Sequence, residues 1–239
     1  MDTKYLYVMG AESGAGKSTV CLGILAQLLA TGFTANQLAY IKPVTQCTEK
    51  QPVALFCEQK QIACRDLGSL IFSKGFSKDF IDGLTLGSEA LLAEVLATIA
   101  FIGKGKAVVI IDGIGDPSVG SVIGVSNVDI AASMACHVIF IGKSGIGAAI
   151  DNTVLCISFM QQKGISNIGI IYNKIPLVAM EEIKNYLTNR LPELVTDVTL
   201  LGFISNEYDN IDIAHGFDVF IDRKTFLSDW FLLTNHALN

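Results

Sequence analysis

Residues 7–20, which read YVMGAESGAGKSTV, constrain the fold of this chain more than any other segment. An apolar run leads into a loop with glycines at positions 10, 14 and 16, and Lys17 then opens a segment with the apolar pattern of a helix. Glycines let backbone N–H groups turn inward around an anion, and the positive end of the helix dipole faces the same point. The segment therefore predicts a phosphate-binding loop between the first strand and the first helix.

The spacing of this loop is close to that of a nucleotide-binding P-loop, G-x-x-x-x-G-K-[ST], although Ala11 occupies the first glycine position and Gly10 lies one residue earlier. We predict that Lys17 contacts the β- and γ-phosphates and that the Ser18 hydroxyl binds magnesium. A second GKS, at residues 142–144, follows an apolar run with no glycine loop before it, so we predict a strand end there. The predicted nucleotide-binding residues of the loop are Glu12, Ser13, Gly14, Ala15, Gly16, Lys17, Ser18 and Thr19.

Short apolar runs alternate with helical patterns along the whole chain, which predicts βαβ units and a parallel sheet. Charged residues make up 17% of the chain, against about 25% in average soluble domains, as expected for a sheet covered on both faces. We therefore predict a single domain over residues 1–239 with an α/β, three-layer P-loop NTPase fold, whose mostly parallel sheet is covered by helices on both faces. The predicted strands are Tyr5–Met9, Leu38–Lys42, Ala107–Asp112, His137–Gly142, Asn167–Asn173 and Thr199–Ile204. The predicted helices are Lys17–Thr31, Val53–Ile62, Ser88–Ile102, Ala148–Lys163, Leu177–Leu191 and a final stretch at Lys224–Leu233.

Polar residues at the ends of three predicted strands are further candidates, because the carboxyl ends of parallel strands meet at one edge where ligands bind. Lys42 would face the same phosphates as Lys17, unless it is an ordinary surface lysine. Asp112 closes a buried strand and would hold magnesium directly or through water, unless it caps a turn. Asn173 would pair with adenine N6 and N7, unless it is a turn residue. Pro176 stands where guanine-reading N-K-x-D proteins have their aspartate, so we predict ATP rather than GTP.

The composition excludes several other classes of function. A net charge of −6 gives no basic surface for nucleic acid or an anionic membrane. The apolar runs stop too early for a membrane helix, and Asp2 is not typical of a signal peptide. The six cysteines contain no C-x-x-C pair, which favours reduced thiols in a cytoplasmic protein over disulfides or zinc. The three histidines have no serine or cysteine partner at the spacing of a hydrolase triad.

Several motifs resemble the dethiobiotin synthetase family, within the wider class that includes cobyrinic acid diamide synthases and partition-type ATPases. The family loop reads much like G-T-D-T-x-V-G-K-T, with Glu12 here at its acidic position. The other matching features, in the same order along the chain, are KPV at 42–44, GIGAAIDNT at 145–153, Asn173 and LLG-x-I at 200–204. In that family ATP phosphorylates a carbamate formed on diaminopelargonic acid, and ring closure gives dethiobiotin. The resemblance implies a homodimer with a small-molecule substrate, Lys17 and Lys42 as catalytic residues that stabilise the transferring phosphoryl group, and Ser18 and Asp112 as magnesium ligands.

Two departures from the family leave a second hypothesis open. The family's E-G-A-G-G is DGIGD here, and Pro52 is the nearest counterpart of its second magnesium-binding aspartate. KPVTQ, which ends at Gln46, looks like the N-terminal domain of some phosphotransacetylases, which is thought to sense a nucleotide. We therefore expect either ATP-dependent phosphoryl transfer to a carboxylate or carbamate, or a nucleotide-sensing module. A second magnesium carboxylate from Glu12 or Glu49 would favour the enzyme, and Pro52 favours the sensor. Partition-type ATPases carry a lysine where Glu12 stands, which makes a switch ATPase the weakest alternative.

Glu12 itself leaves two interpretations open. A carboxylate beside phosphates is repelled unless it meets a metal, a ribose hydroxyl or a substrate amine. The alternative is a solvated acid on the surface of the loop.

Overall fold

A computed structural model describes residues 2–46 and 49–207, together with Phe226 and Phe231. Strands and helices alternate through these residues. The strands are β1 (Lys4–Gly10), β2 (Leu38–Ile41), β3 (Val44–Thr45), β4 (Ala63–Arg65), β5 (Leu70–Ile71), β6 (Val108–Asp112), β7 (Cys136–Gly142), β8 (Ile168–Ile175) and β9 (Val198–Ser205). The α-helices are α1 (Lys17–Ala30), α2 (Pro52–Lys60), α3 (Phe76–Ile81), α4 (Ser88–Gly103), α5 (Asn127–Ala132), α6 (Gly147–Gln162) and α7 (Met180–Leu194). Short 3₁₀ turns lie at Ala35–Gln37, Ser121–Ile123 and Leu177–Ala179.

Seven strands form one parallel sheet in the order β4-β2-β6-β1-β7-β8-β9, and β3 pairs with β5 in a small separate sheet. β1 lies in the middle, between β6 and β7. Val8 is in register with Asp112, and Gly10 with Ile141. This register places the carboxyl end of β6 directly beside the point where the glycine loop leaves β1.

Helices cover both faces of this sheet, because successive side chains of its strands point to opposite sides. On β1, Leu6 and Val8 are buried against α1 and α2, while Tyr7 and Met9 are buried in the core formed with α4, α5, α6 and α7. Phe226 and Phe231 also pack on the α1 side. Each large apolar side chain removed from water in this way contributes about 1.5–3 kcal/mol of burial free energy. The predicted α/β three-layer fold with a parallel sheet is confirmed.

Most elements lie where the apolar periodicity predicts them, with ends that differ by a few residues. One difference falls at the site: the strand predicted to end at Asn173 continues to Ile175, past Lys174 with its φ of 60° and an irregular register against β9. The elements that sequence reasoning missed are β3, β4, β5, α3 and α5, which have too few residues for a periodic signal. The predicted helix Lys224–Leu233 lies outside the described residues except for Phe226 and Phe231. Within the described part of the chain, no helix has the length and apolar character needed to cross a membrane.

Candidate functional site

The glycine loop leaves β1 after Gly10 and leads directly into α1. Ala11 N–H donates to the Ile141 carbonyl (2.9 Å), which anchors the start of the loop on β7. Gly14 and Gly16 have φ angles of 79° and 94°, in the left-handed region that glycine adopts without steric cost. Gly16 is also the N-cap of α1 and accepts from Val20 N–H (3.0 Å). The loop therefore presents backbone N–H groups at a helix N-terminus, an arrangement suited to an anion.

Asn173 supports the loop from the end of β8. Its side chain is 5% exposed, and Nδ2 donates to the Ala15 carbonyl (3.0 Å). This close approach leaves no space for a side chain at Gly16, because a Cβ there would lie 2.0 Å from Nδ2 of Asn173. Asn173 thus positions the backbone of the loop, a role that its position in the sequence did not indicate. Its predicted contact with adenine stays a prediction.

Lys17 is nearly buried although it carries an ammonium group. Nζ donates to the Glu12 carbonyl (3.1 Å) and the Gly115 carbonyl (3.0 Å). Burial lowers the pKa of Lys17, and the charge of Asp112 acts in the opposite direction. A cation held by neutral carbonyls in a partly closed space creates a positive potential that attracts an anion.

Asp112 is the last residue of β6 and is completely buried. Its Oδ2 accepts hydrogen bonds from Ser18 Oγ (2.6 Å) and Tyr40 OH (2.8 Å), and Lys42 Nζ lies 3.5 Å away as an ion pair. Burial raises the pKa of Tyr40 well above its usual value, so this hydroxyl stays protonated and donates. These side chains come from α1, from β6, and from β2 and the residue that follows it, and the predicted magnesium residues Ser18 and Asp112 are in direct contact.

The other carboxylate oxygen of Asp112 fits a metal ion. Oδ1 is buried and has no hydrogen-bond partner among the described residues. Leaving such an acceptor unsatisfied costs about 1–3 kcal/mol, more for a charged group. Magnesium prefers carboxylate, hydroxyl and water oxygens, and a buried carboxylate beside a serine hydroxyl supplies the first two. The residues present are therefore compatible with magnesium, although no cluster of three or more His, Cys, Asp or Glu side chains occurs in the described residues.

These residues surround a polar cavity of about 350 Å³ at the carboxyl edge of the sheet. Asp112 and Asn173 lie beneath it. The residues that line it are Ser13, Gly14, Gly16, Lys17, Ser18, Thr19, Lys42, Thr45, Gln46, Gln51, Gly113, Ile114, Gly115 and Lys174. The structure thus brings the loop, Lys42 and Asp112 together, as parallel strand ends predict.

Two of the predicted loop residues do not line the cavity. Ala15 contributes its carbonyl to Asn173. The Glu12 carboxylate forms an ion pair with Lys143 (2.8 Å) and is half exposed. Such an exposed pair contributes at most about 1 kcal/mol to stability, so a bound ligand could still displace it. Lys143 directly follows the end of β7, as predicted for the second GKS.

Sequence reasoning missed Asn127, which holds the segment 113–116 against the site. Its Nδ2 donates to the carbonyls of Ile114 and Asp116 (both 2.6 Å), and Oδ1 accepts from Tyr7 OH (3.1 Å) and Ile114 N–H (3.2 Å). Gly115 in that segment provides the carbonyl bound by Lys17. The only local signal is the capping box Ser126-x-x-Asp129, which predicts a helix start but not the buried role of Asn127.

We expect Asn127→Ala to lower the free energy of unfolding by about 2 kcal/mol, because it leaves buried carbonyls and an N–H without partners. Urea unfolding of the two proteins measures the difference. Asn189→Ala, which removes an exposed asparagine bonded to Asn185 on α7, is the matched control and should change stability by less than about 0.5 kcal/mol. An equal effect of the two substitutions would contradict the role of Asn127.

Comparison with known proteins shows the family to which this chain belongs. Residues 4–210 match the AAA_26 family model, described as an AAA domain, which covers dethiobiotin synthetase-like P-loop proteins. The chain is 24% identical over 175 residues to the ATP-dependent dethiobiotin synthetase BioD of Anaeromyxobacter sp. (strain K), an alignment that covers 71% of this chain and 76% of the relative.

Solved structures with the same fold include two described as cell-division proteins from Aquifex aeolicus. The chain aligns with MinD at a TM-score of 0.55 and 13% identity, covering 96% of this chain and 94% of MinD. It aligns with the MinC:MinD complex at a TM-score of 0.57 and 13% identity, covering 89% and 85%. The chain also aligns with the signal recognition particle receptor FtsY from Elizabethkingia anophelis, in complex with GDP, at a TM-score of 0.52 and 12% identity. This alignment covers 91% of this chain and 64% of FtsY. The fold, the loop and the family match together identify the chain as a nucleotide-binding P-loop NTPase of the dethiobiotin synthetase-like AAA_26 family.

Proposed function

We propose that the cavity binds Mg-ATP and that the chain transfers the γ-phosphoryl group to a carboxylate or carbamate of a small molecule. The observation that carries this proposal is the convergence of two ammonium groups, Lys17 and Lys42, with the Ser18–Asp112 pair around one polar cavity. Phosphoryl transfer needs little covalent chemistry from the protein, and positioned positive charge supplies most of the rate enhancement. The similarity to an ATP-dependent dethiobiotin synthetase supports the same class of reaction.

Each residue has a distinct part in this proposal. The N–H groups of the loop and of the first turn of α1 bind the β- and γ-phosphates. Lys17 exchanges its contacts with backbone carbonyls for phosphate oxygens, and Lys42 adds charge from β2. Ser18 and Asp112 hold magnesium, which when bound neutralises charge on the phosphates.

The proposed preference for adenine can be tested by competition. GTP should displace bound ATP poorly, because Pro176 replaces the aspartate that accepts from guanine, while the Asn173 amide suits adenine N6 and N7. Displacement of a fluorescent ATP analogue by ATP, GTP and CTP measures the preference. Equal displacement by ATP and GTP would remove Asn173 as the residue that reads the base.

A nucleotide-sensing module is the second candidate, favoured by the lack of a carboxylate among the residues that line the cavity. Thr45, Gln46 and Gln51 contribute neutral side chains to the lining, and α2 begins at Pro52. Of the two acids that could have supplied a second magnesium carboxylate, Glu12 pairs with Lys143, and the side chain of Glu49 does not line the cavity. A site with one buried carboxylate binds nucleotide and is less suited to turnover.

Phosphate release distinguishes the two candidates. Purified protein is incubated with Mg-ATP, with and without diaminopelargonic acid and bicarbonate, and inorganic phosphate is measured. Stimulation that requires both additions supports the dethiobiotin synthetase reaction. ATP binding without stimulated release supports the sensor and overturns this reaction.

The remaining features of the proposal concern the whole protein. We propose that residues 1–239 form one domain and that the protein is cytoplasmic. We also propose that it is a homodimer, as the dethiobiotin synthetase family implies. Sedimentation analysis with and without Mg-ATP tests the oligomeric state, and a monomer under both conditions would contradict it.

A further inference from the structure

Tyr40 lies in β2, two residues before Lys42, and its side chain is completely buried. It is in register with Ile110 of β6, which lies two residues before Asp112. Because successive side chains of a strand point to opposite faces, Tyr40 and Asp112 share the face of the sheet that α1 covers. This arrangement brings the Tyr40 hydroxyl to 2.8 Å from Asp112 Oδ2.

Two neutral hydroxyl groups occupy Oδ2 of Asp112. Ser18 Oγ donates at 2.6 Å and Tyr40 OH at 2.8 Å, both ordinary distances for O–H···O hydrogen bonds. An ionised carboxylate has about four lone-pair sites on its two oxygens, so these donors fill the capacity of Oδ2. The Lys42 ammonium group lies 3.5 Å from the same oxygen. A charge-assisted N–H···O hydrogen bond is usually about 2.7–2.9 Å long, so Lys42 is only loosely paired with Asp112.

A closer pair between Lys42 and Asp112 would be the expected arrangement without Tyr40. The carboxylate is completely buried, and its attraction for a cation is strong where water is excluded. The lysine side chain has a flexible four-carbon stem, so its ammonium group can approach a vacated lone pair. Such a pair would cancel the charge of Asp112 and withdraw that of Lys42 from the cavity that it lines.

We propose that Tyr40 is a positioning residue of the nucleotide site, whose hydroxyl occupies Asp112 Oδ2 and prevents a tight pair between Asp112 and Lys42. The carboxylate, whose Oδ1 has no hydrogen-bond partner among the described residues, then keeps its charge for magnesium. Lys42 keeps its ammonium group for the phosphates. Tyrosine suits this part because its hydroxyl donates a hydrogen bond and adds no charge. The inference rests on the proposed binding of Mg-ATP, but it does not depend on which acceptor receives the phosphoryl group.

Tyr40→Phe tests the inference, because it removes the hydroxyl and keeps the ring. We expect Mg-ATP binding to weaken about 10-fold, at the lower end of the range for residues that orient metal ligands. Titration calorimetry in magnesium buffer measures the affinity. Tyr172→Phe is the matched control, since it also removes a completely buried tyrosine hydroxyl, which is hydrogen-bonded to Thr153 Oγ1 (2.9 Å). The control should leave the affinity for Mg-ATP unchanged.

A second background separates positioning of Lys42 from a general loss of stability. If Tyr40 acts by keeping Lys42 away from Asp112, its substitution has little left to change once the lysine is absent. Lys42→Ala should weaken ATP binding by itself, and adding Tyr40→Phe should then cost less than about twofold more, because the two residues are coupled.

Three outcomes would contradict this expectation. A similar cost of Tyr40→Phe with and without Lys42, or an equal loss in Tyr172→Phe, would overturn the inference. Unchanged affinity in Tyr40→Phe, while the wild type binds Mg-ATP, would overturn the inference and leave the proposed function standing. Wild-type protein that binds no ATP would overturn the proposed function and this inference together.

Discussion

Replacing Lys17 with alanine should weaken ATP binding by about 100-fold or more, to below detection by titration calorimetry. The ammonium group is already held over the loop by the Glu12 and Gly115 carbonyls, so little rearrangement is needed for it to meet a phosphate. One unit charge about 4 Å from another contributes on the order of 4 kcal/mol at an effective dielectric constant near 20. Even after desolvation removes part of this energy, a loss of about 3 kcal/mol corresponds to roughly two orders of magnitude in affinity.

Lys143→Ala is the matched control for this substitution. Lys143 belongs to the second GKS, but its ammonium group pairs with Glu12 outside the residues that line the cavity. Its removal should change ATP affinity by less than about threefold, in line with the small energies of exposed ion pairs. If Lys17→Ala retained wild-type affinity, the phosphates would have to bind somewhere other than this loop.

Gly16→Ala should destabilise the protein by about 3 kcal/mol and prevent nucleotide binding. The backbone there has a φ of 94°, a region that costs an L-residue about 1–2 kcal/mol. The new Cβ would also lie 2.0 Å from Asn173 Nδ2, so the amide must move and lose its hydrogen bond to the Ala15 carbonyl, which adds about 1 kcal/mol. Urea unfolding measures the stability, and calorimetry measures the binding.

Gly14→Ala is the control that separates the cost of the backbone conformation from the cost of the contact with Asn173. Gly14 also has a positive φ, 79°, but nothing lies within 4 Å of the position that its Cβ would take. Gly14→Ala should therefore lower the free energy of unfolding only by the backbone contribution of about 1–2 kcal/mol. In an Asn173→Ala background, the cost of Gly16→Ala should fall to a similar value, because the two residues are directly coupled. A full cost that persists in that background would show that the contact with Asn173 is not responsible.

The regular elements could be predicted because their signals are local. Strand β1, the glycine loop and α1 follow from one contiguous segment, and the long helices α4 and α6 have several turns of apolar periodicity. β4 has no comparable signal: Ala63–Arg65 is a strand because it pairs with β2 at the edge of the sheet. Its pairing energy comes from residues far away in the chain, which a local pattern does not contain.

The residues of the site could likewise be predicted only in part. Lys17 and Ser18 are identified by their spacing, and Lys42 and Asp112 by their positions at strand ends. The partners of these residues could not be predicted. The sequence does not reveal that Tyr40 donates to Asp112, or that Glu12 turns away to Lys143. Such contacts depend on side-chain directions and on which strands are neighbours.

By itself, the sequence determined the α/β class, the phosphate-binding loop and the family, because each depends on residue types at short, defined spacings. Only the tertiary structure decided that Asn173 supports the loop and that Asn127 holds the segment contacting Lys17. The physical reason is that a hydrogen bond is formed only when donor and acceptor lie within about 3 Å at a suitable angle. For residues on different elements, that distance is set by strand order, register and packing.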